Sequence, residues 1–363
     1  MTVSRLPHDT QKGQRMKAVF YTGINNIEIE EKGIPKTTGS DMVVKVKKAA
    51  ICGTDLRILK NGHFKIPSGE KRVLGHEIVG EIVEVGDNVS HYSPGMRVAL
   101  VPNIGCGHCD ACRAGFNELC PDYEAFGISY DGGFEEYVYV PAHAISEGNV
   151  LVLPDQLTYD QAILAEPLSC CYNAYRSLET KPGDVVLIFG AGPIGALHVL
   201  LNRFVGASKI ISVDISKERL SKMKNYGADT LINSNEEDLD QAIMLHTNGK
   251  GADVIITACS VPSLQSQVLK YAAGHGRINY FGGLPEGKSE VLIDTNIMHY
   301  KELKIMGTTG SSRLDYINAL KIISSGRLNL EGLISRKFKI DEAKEAFEYA
   351  LSGQGMKTVF DFE

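Results

Sequence analysis

The pattern of apolar and polar positions divides the chain into two stretches with different periods. From Met16 to about Leu153 the apolar positions come in short runs of strand length. Val43-Val-Lys-Val-Lys47 alternates weakly, and Ile78-Val-Gly-Glu-Ile-Val-Glu-Val85 is a β-branched run ended by Gly86-Asp87. Turn signals at Pro94-Gly95 and Asp131-Gly132-Gly133 precede Phe134-Glu-Glu-Tyr-Val-Tyr-Val140. These runs predict a strand-rich, barrel-like domain.

Near Thr158 the period changes. Thr158-Tyr-Asp-Gln-Ala-Ile-Leu-Ala165 starts a helix with Thr158 as its N-cap. Strands are then predicted at Val185–Phe189, Ile210–Val213, Thr230–Asn233, Val254–Thr257 and Arg277–Phe281. Helices alternate with them at 193–206, Lys217–Tyr226, 236–246 and 262–273. Such alternation builds a parallel, doubly wound α/β sheet. Two tail helices follow, near 315–325 and 341–352. Ala343, Ala346, Phe347, Ala350 and Leu351 form an apolar stripe that is predicted to pack across the domain junction.

The 363 residues exceed most single cores, which agrees with two domains. A net charge of −6 weighs against a nucleic-acid partner. No apolar run is long enough to span a bilayer, so no membrane partner is expected. The first fifteen residues are polar and lack the apolar stretch of a secretory signal. They read as a loose arm, with Met16 as an alternative start. Eight cysteines in such a chain point to thiolate metal ligation in a reducing, cytoplasmic setting and not to a disulfide framework.

Four of them, Cys106, Cys109, Cys112 and Cys120, fall within fifteen residues among Gly105, Gly107 and Gly115. Four thiols this close can surround one ion tetrahedrally, and Zn²⁺ favours that closed all-sulfur site. Downstream, Gly190-Ala-Gly-Pro-Ile-Gly195 follows a predicted strand and opens a predicted helix. Gly190 permits the turn, Gly192 lets backbone approach a pyrophosphate, and Gly195 lets helix and strand pack closely. The helix N-terminus then presents free N–H groups to the phosphates. Asp214, nineteen residues past Gly195, suits a ribose 2′-hydroxyl and repels a 2′-phosphate, which favours NAD over NADP. The predicted cofactor set is Gly190, Gly192, Pro193, Ile194, Gly195, Asp214 and Arg219, although Lys217 or Arg219 could also meet a phosphate. Upstream stand Cys52 and the Gly75-His76-Glu77 triplet. Each is a competent Zn²⁺ ligand, but spacing alone does not assemble them.

Cys52-Gly-Thr-Asp55, Gly75-His-Glu and the run to Val89, the four-cysteine segment and the Gly190–Gly195 loop closely resemble the zinc-dependent medium-chain dehydrogenases. The resemblance spans nearly the whole chain from Met16. It implies a GroES-like β-barrel catalytic domain formed by both chain ends and a Rossmann domain between them. The expected boundaries are 16–156 with a zinc lobe at 103–122, then 157–305, then 306–363. Ala165-Glu166-Pro167-Leu168-Ser169 resembles the polyol, sorbitol-type branch. Carried over, Cys52, His76 and Glu77 hold a catalytic zinc, and Glu166 is a fourth ligand or holds the zinc-bound water. The four cysteines hold a structural zinc, giving two zincs per chain. Thr54 passes a proton outward and Asp55 orients His76.

The resemblance thus implies a zinc- and NAD-dependent oxidoreductase interconverting a secondary alcohol of a polyol and its ketone. It also implies a homo-oligomer, dimer or tetramer, through a Rossmann edge strand such as Arg277–Phe281. Arg57 stands where the family usually has a relay His, and Arg does not give up its proton near neutral pH. With Lys60 or Lys65 it could instead meet an anionic substrate group. The segment Gly307–Arg313 lacks the Arg-Tyr pair of sorbitol dehydrogenases. A phosphorylated polyol or an amino alcohol, as in threonine dehydrogenases, therefore remains an alternative substrate. A non-catalytic, zinc-stabilised nucleotide-binding protein is the remote alternative.

Overall fold

The structure, a computed structural model, describes residues 14–363. Most of the expected arm lies outside the described residues, but its last two positions, Gln14 and Arg15, do not. Arg15–Gly23 is a strand, and Met16 is buried within it.

The weak alternation at Val43 has a physical cause. Met42–Ile51 is a central strand, paired with Glu77–Val85, Tyr137–Val140 and Lys357–Asp361. A strand covered on several sides needs no clean polar face. Its sheet also holds Arg97–Leu100, Val150–Val152 and Ile334–Phe338, so strands from both chain ends share one sheet. A smaller sheet, Asn26–Gly33, Arg15–Gly23 and Arg72–Val73, lies beside it.

The second unit is a six-stranded, wholly parallel sheet. Its order is Thr230–Asn233, Lys209–Asp214, Val185–Phe189, Ala252–Thr257, Ala272–Tyr280, Lys304–Gly307. This is the doubly wound α/β arrangement predicted from the alternation. Two details correct the expectation. The strand containing Arg277 begins at Ala272, and it is interior, because Lys304–Gly307 pairs on its far side. The edge strands are therefore Thr230–Asn233 and Lys304–Gly307. The latter also runs past the boundary placed at residue 305.

Thr158 caps a helix through a capping box with Gln161, but that helix is only Tyr159–Ala162. A second helix, Ala165–Leu178, starts after it and carries Pro167 in its first turn, where no backbone donor is missed. The expected 262–273 helix shortens to Pro262–Gln267 plus a 3₁₀ turn, since Ala272 already belongs to a strand.

The tail helices divide their work. Arg313–Ser324 packs in a core that contains Ala50 and Val79 of the first unit and Val186 and Ile188 of the second. Ala343–Ser352 does not cross the junction. Its Ala343, Ala346 and Phe347 join the first unit's own core, and Leu351 is exposed. No described helix is long and apolar enough to cross a membrane.

Candidate active site and metal centres

Sheet register builds the first site. Ala50 pairs with Glu77 on one side of the central strand, and Ile51 pairs with Thr358 on the other. Cys52 follows at once and caps the helix Gly53–Asn61. The Asp55 carboxylate accepts from the Cys52 amide at 2.8 Å and from the Gly75 amide at 3.1 Å, and it lies 3.5 Å from His76 Nδ1. One carboxylate therefore fixes both ligand-bearing turns and faces the imidazole. Gly75 has φ +91°, and the Phe134 ring occupies the space that a Cβ would need.

The result brings Cys52, His76 and Glu77 together, with their ligand atoms within 4.8 Å of one another. One sulfur, one nitrogen and one oxygen match the donors Zn²⁺ takes, and three protein ligands leave a position open. Glu77 Oε2 is buried with no hydrogen-bond partner, an atom suited to facing an ion. Burial opposes charging of His76, yet Asp55 and Cys52 together hold its pKa well above the usual value. Burial drives Glu77 up to about 7, against the pull of Lys357 and with repulsion from Glu166.

Glu166 is buried on the first turn of Ala165–Leu178 and accepts from the Cys170 thiol at 3.6 Å. It lies near the site without belonging to the three-residue cluster. Thr54 is half-buried beside Cys52. Arg57 and Lys60 are exposed, whereas the Lys65 ammonium donates to the Tyr123 carbonyl and sits 3.9 Å from that ring's centroid. Of the three expected cations, Lys65 is thus already engaged. The segment after Gly307 is fastened on two sides. Ser311 shares a 2.7 Å hydrogen bond with Ser169, and its carbonyl accepts from Asn103 at 3.2 Å.

Lys357 is the functional residue that sequence reading missed. Its buried ammonium donates to Glu77 Oε1 and to the Ile51 carbonyl at 3.2 Å. Burial opposes its charge, but Glu77, Cys52 and Glu166 push its pKa further above the usual range. The only signal in the sequence was a lysine inside the apolar run Met356-Lys-Thr-Val-Phe360.

The four-cysteine lobe forms a second cluster, again with all ligand atoms within 4.8 Å. The Cys109 amide donates to Cys106 Sγ at 3.4 Å, and the Cys106 amide to Cys120 Sγ at 3.3 Å. Such N–H···S bonds favour thiolate. Donors from His108 and Cys109 bring Cys106 down to about 6, while burial pushes Cys112 up to about 12. The donor set suits a closed Zn²⁺ site. All eight cysteines are free.

In the second unit, Gly190 has φ +104°, and Gly192 caps Pro193–Phe204 with no side chain of its own. A Cβ at Gly192 would meet nothing within 4 Å, whereas one at Gly195 would collide with the Gly190 carbonyl. Pro193 opens the helix, and Ile194 is half-buried. Asp214 accepts from Ala191 N at 2.7 Å and Ser216 N at 2.8 Å, which ties loop, strand and next helix into one corner. Arg219 turns from that corner to donate to the Gly353 carbonyl.

A cysteine–histidine–glutamate cluster on a barrel-like sheet, a four-sulfur lobe and a glycine loop on a parallel sheet define a zinc-type oxidoreductase. Residues 38–152 match the alcohol dehydrogenase GroES-like domain and residues 193–325 the zinc-binding dehydrogenase domain, and the chain belongs to this zinc-binding medium-chain dehydrogenase family. It is 35% identical over 354 residues to L-threonine 3-dehydrogenase of Pyrococcus horikoshii, covering 96% of this chain and 99% of that one. It is 31% identical over 340 residues to sorbitol dehydrogenase of Bacillus subtilis, covering 93% and 94%. A crystal structure of a zinc-binding dehydrogenase from Sinorhizobium meliloti bound to NADP matches with TM-score 0.88 and 31% identity over 96% and 99% of the two chains.

Proposed function

We propose that the protein interconverts a secondary alcohol of a polyol or sugar alcohol and the corresponding ketone, using NAD, with one Zn²⁺ at Cys52–His76–Glu77 and one in the four-cysteine lobe. The convergence of those three side chains beside a separate glycine-loop corner carries the reading. Bound Zn²⁺ supplies Lewis acidity, and a bound nicotinamide accepts the hydride.

The chain's own residues do the rest. Cys52 and His76 hold the metal, and Asp55 fixes their turns. Lys357 keeps Glu77 in place, and Glu166 adds a second carboxylate at the site's edge. Thr54 stands beside Cys52 to take the alcohol proton outward. Gly190, Gly192 and the helix amides receive the pyrophosphate, and Asp214 receives the ribose. A small-molecule substrate, a homo-oligomer and a reducing compartment belong to the same reading. Kinship alone does not choose the dinucleotide, since the Sinorhizobium relative holds NADP.

A substrate bearing an anionic group is the second reading. Exposed Arg57 has no carboxylate partner among the described residues, on the helix that Cys52 caps. The threonine dehydrogenase relative and a phosphorylated polyol both fall within it.

The test is NAD⁺ reduction by the zinc-loaded protein with plain polyols, their phosphates and L-threonine. Cys52→Ser and His76→Ala are expected to abolish turnover, to retain NADH binding and to lower zinc from two equivalents to one. Turnover in either variant would remove the site assignment. A preference for anionic substrates that disappears in Arg57→Ala would favour the second reading.

A further inference from the structure

We infer that Asp131, anchored by Lys32, is a positioning residue for the metal ligands His76 and Glu77, acting through the turn 131–135 that grips the segment before them. The inference deepens the proposed function and rests on its metal site at Cys52, His76 and Glu77.

His76 and Glu77 follow Val73-Leu74-Gly75, a segment held from two sides. On the side of the metal site, Asp55 accepts from the Gly75 amide at 3.1 Å. On the other side the turn takes all three carbonyls. The Gly132 amide donates to Val73 at 2.8 Å, Phe134 to Leu74 at 3.1 Å and Gly133 to Gly75 at 2.8 Å. Gly75 is therefore fixed at its amide by Asp55 and at its carbonyl by the turn. The fit has no slack. A Cβ on Gly132 would strike the Gly75 carbonyl, just as one on Gly75 would strike the Phe134 ring.

Two carboxylates bound this turn, Asp131 at its start and Glu135 at its end. One ammonium joins them. Lys32 Nζ donates to Asp131 Oδ2 at 2.7 Å and to Glu135 Oε2 at 2.8 Å. The other oxygen of Asp131 accepts from the Val73 amide at 3.1 Å, so a single carboxylate connects the cation to the ligand-bearing segment. The Glu135 side chain is 1% exposed, and burial pushes its carboxyl up to about 8 against the pull of Lys32. Without Lys32 the two acids would face each other as like charges. Arg72 stands 3.5 Å from Asp131 Oδ1, too far for a good hydrogen bond. Lys32 itself lies on the strand Asn26–Gly33, in the smaller sheet. The cluster thus ties that sheet to the turn, and the turn to the backbone that aims His76 and Glu77.

The test equilibrates zinc-loaded protein with a series of chelator concentrations and counts zinc per chain. His76→Ala assigns which step of release belongs to which site. Asp131→Ala and Lys32→Met are each expected to weaken zinc retention at the Cys52 site about tenfold and to leave the four-cysteine lobe within about twofold of the parent. The double variant should lose no more than the larger single loss, because the two residues act as one unit. Asp131→Asn keeps an acceptor for the Val73 amide and should recover most of the retention. Should Asp131→Ala fold poorly, Lys32→Met and Asp131→Asn carry the comparison. Unchanged retention in folded variants overturns the inference. So do equal losses at both sites, which would mark general loosening, and additive losses in the double variant. A parent chain that holds zinc in the lobe alone overturns the metal-site reading, and the inference with it.

Discussion

At the scale of single residues, the site depends on one buried ion pair. Glu77 is wholly buried, and Lys357 supplies the charge that makes this tolerable. Removing one partner of a buried pair leaves an uncompensated charge, which costs roughly 3–5 kcal/mol. Lys357→Met should lose stability of that order in urea unfolding of protein stripped of metal, where no ion balances Glu77, and Lys357→Arg should recover much of it. A Met variant within about 0.5 kcal/mol of the parent would show that the pair carries no such burden. Cys52, Asp55, His76 and Glu77 were legible as a set only through the family resemblance of the two short motifs that hold them, which spacing alone does not join. Lys357 was not, because 280 residues separate it from Glu77 and only sheet pairing brings them together.

At the scale of elements, the glycine loop shows how position changes what one residue type does. Gly195 is needed for packing, since a methyl group there would strike the Gly190 carbonyl. Gly192 faces open space, so a methyl group there obstructs only what binds. Gly195→Ala should therefore lose both thermal stability and NADH binding. Gly192→Ala should keep its stability within about 0.5 kcal/mol and still lose NADH affinity. Melting and fluorescence titration of both variants check this, and a Gly192→Ala protein that binds NADH as the parent does would remove the pyrophosphate assignment. Helix starts were legible where a cap was read, as at Thr158, whereas the Ser312 cap that starts Arg313–Ser324 was not read and that helix was placed from about 315. Helix lengths were less so. Pro262–Gln267 stops early because its apolar continuation is taken up by the sheet.

At the scale of the whole molecule, the four-cysteine lobe is wired to the domain junction. Asn103 donates to the Ser311 carbonyl, the Arg313 amide donates to Asn117, and the Arg176 guanidinium lies 5.3 Å from the Phe116 ring centroid. These contacts hold the start of Arg313–Ser324, the helix whose core joins both units. Stripping the lobe of its metal with a chelator should therefore speed hydrogen exchange at 106–120 and at 311–316 together. The six parallel strands should stay protected. A rise confined to the lobe would show that the wiring does not transmit.

Local pattern in the chain was enough for the parallel sheet, the strand-rich unit, the glycine corner and the four-cysteine cluster. Each of these depends on residues close together along the chain, where periodicity and spacing report directly on geometry. Tertiary structure alone decided which strand lies at the sheet edge, which tail helix crosses the junction, what balances Glu77 and where Arg219 points. Those outcomes depend on residues hundreds of positions apart, whose proximity is set by strand order and register and leaves no local trace.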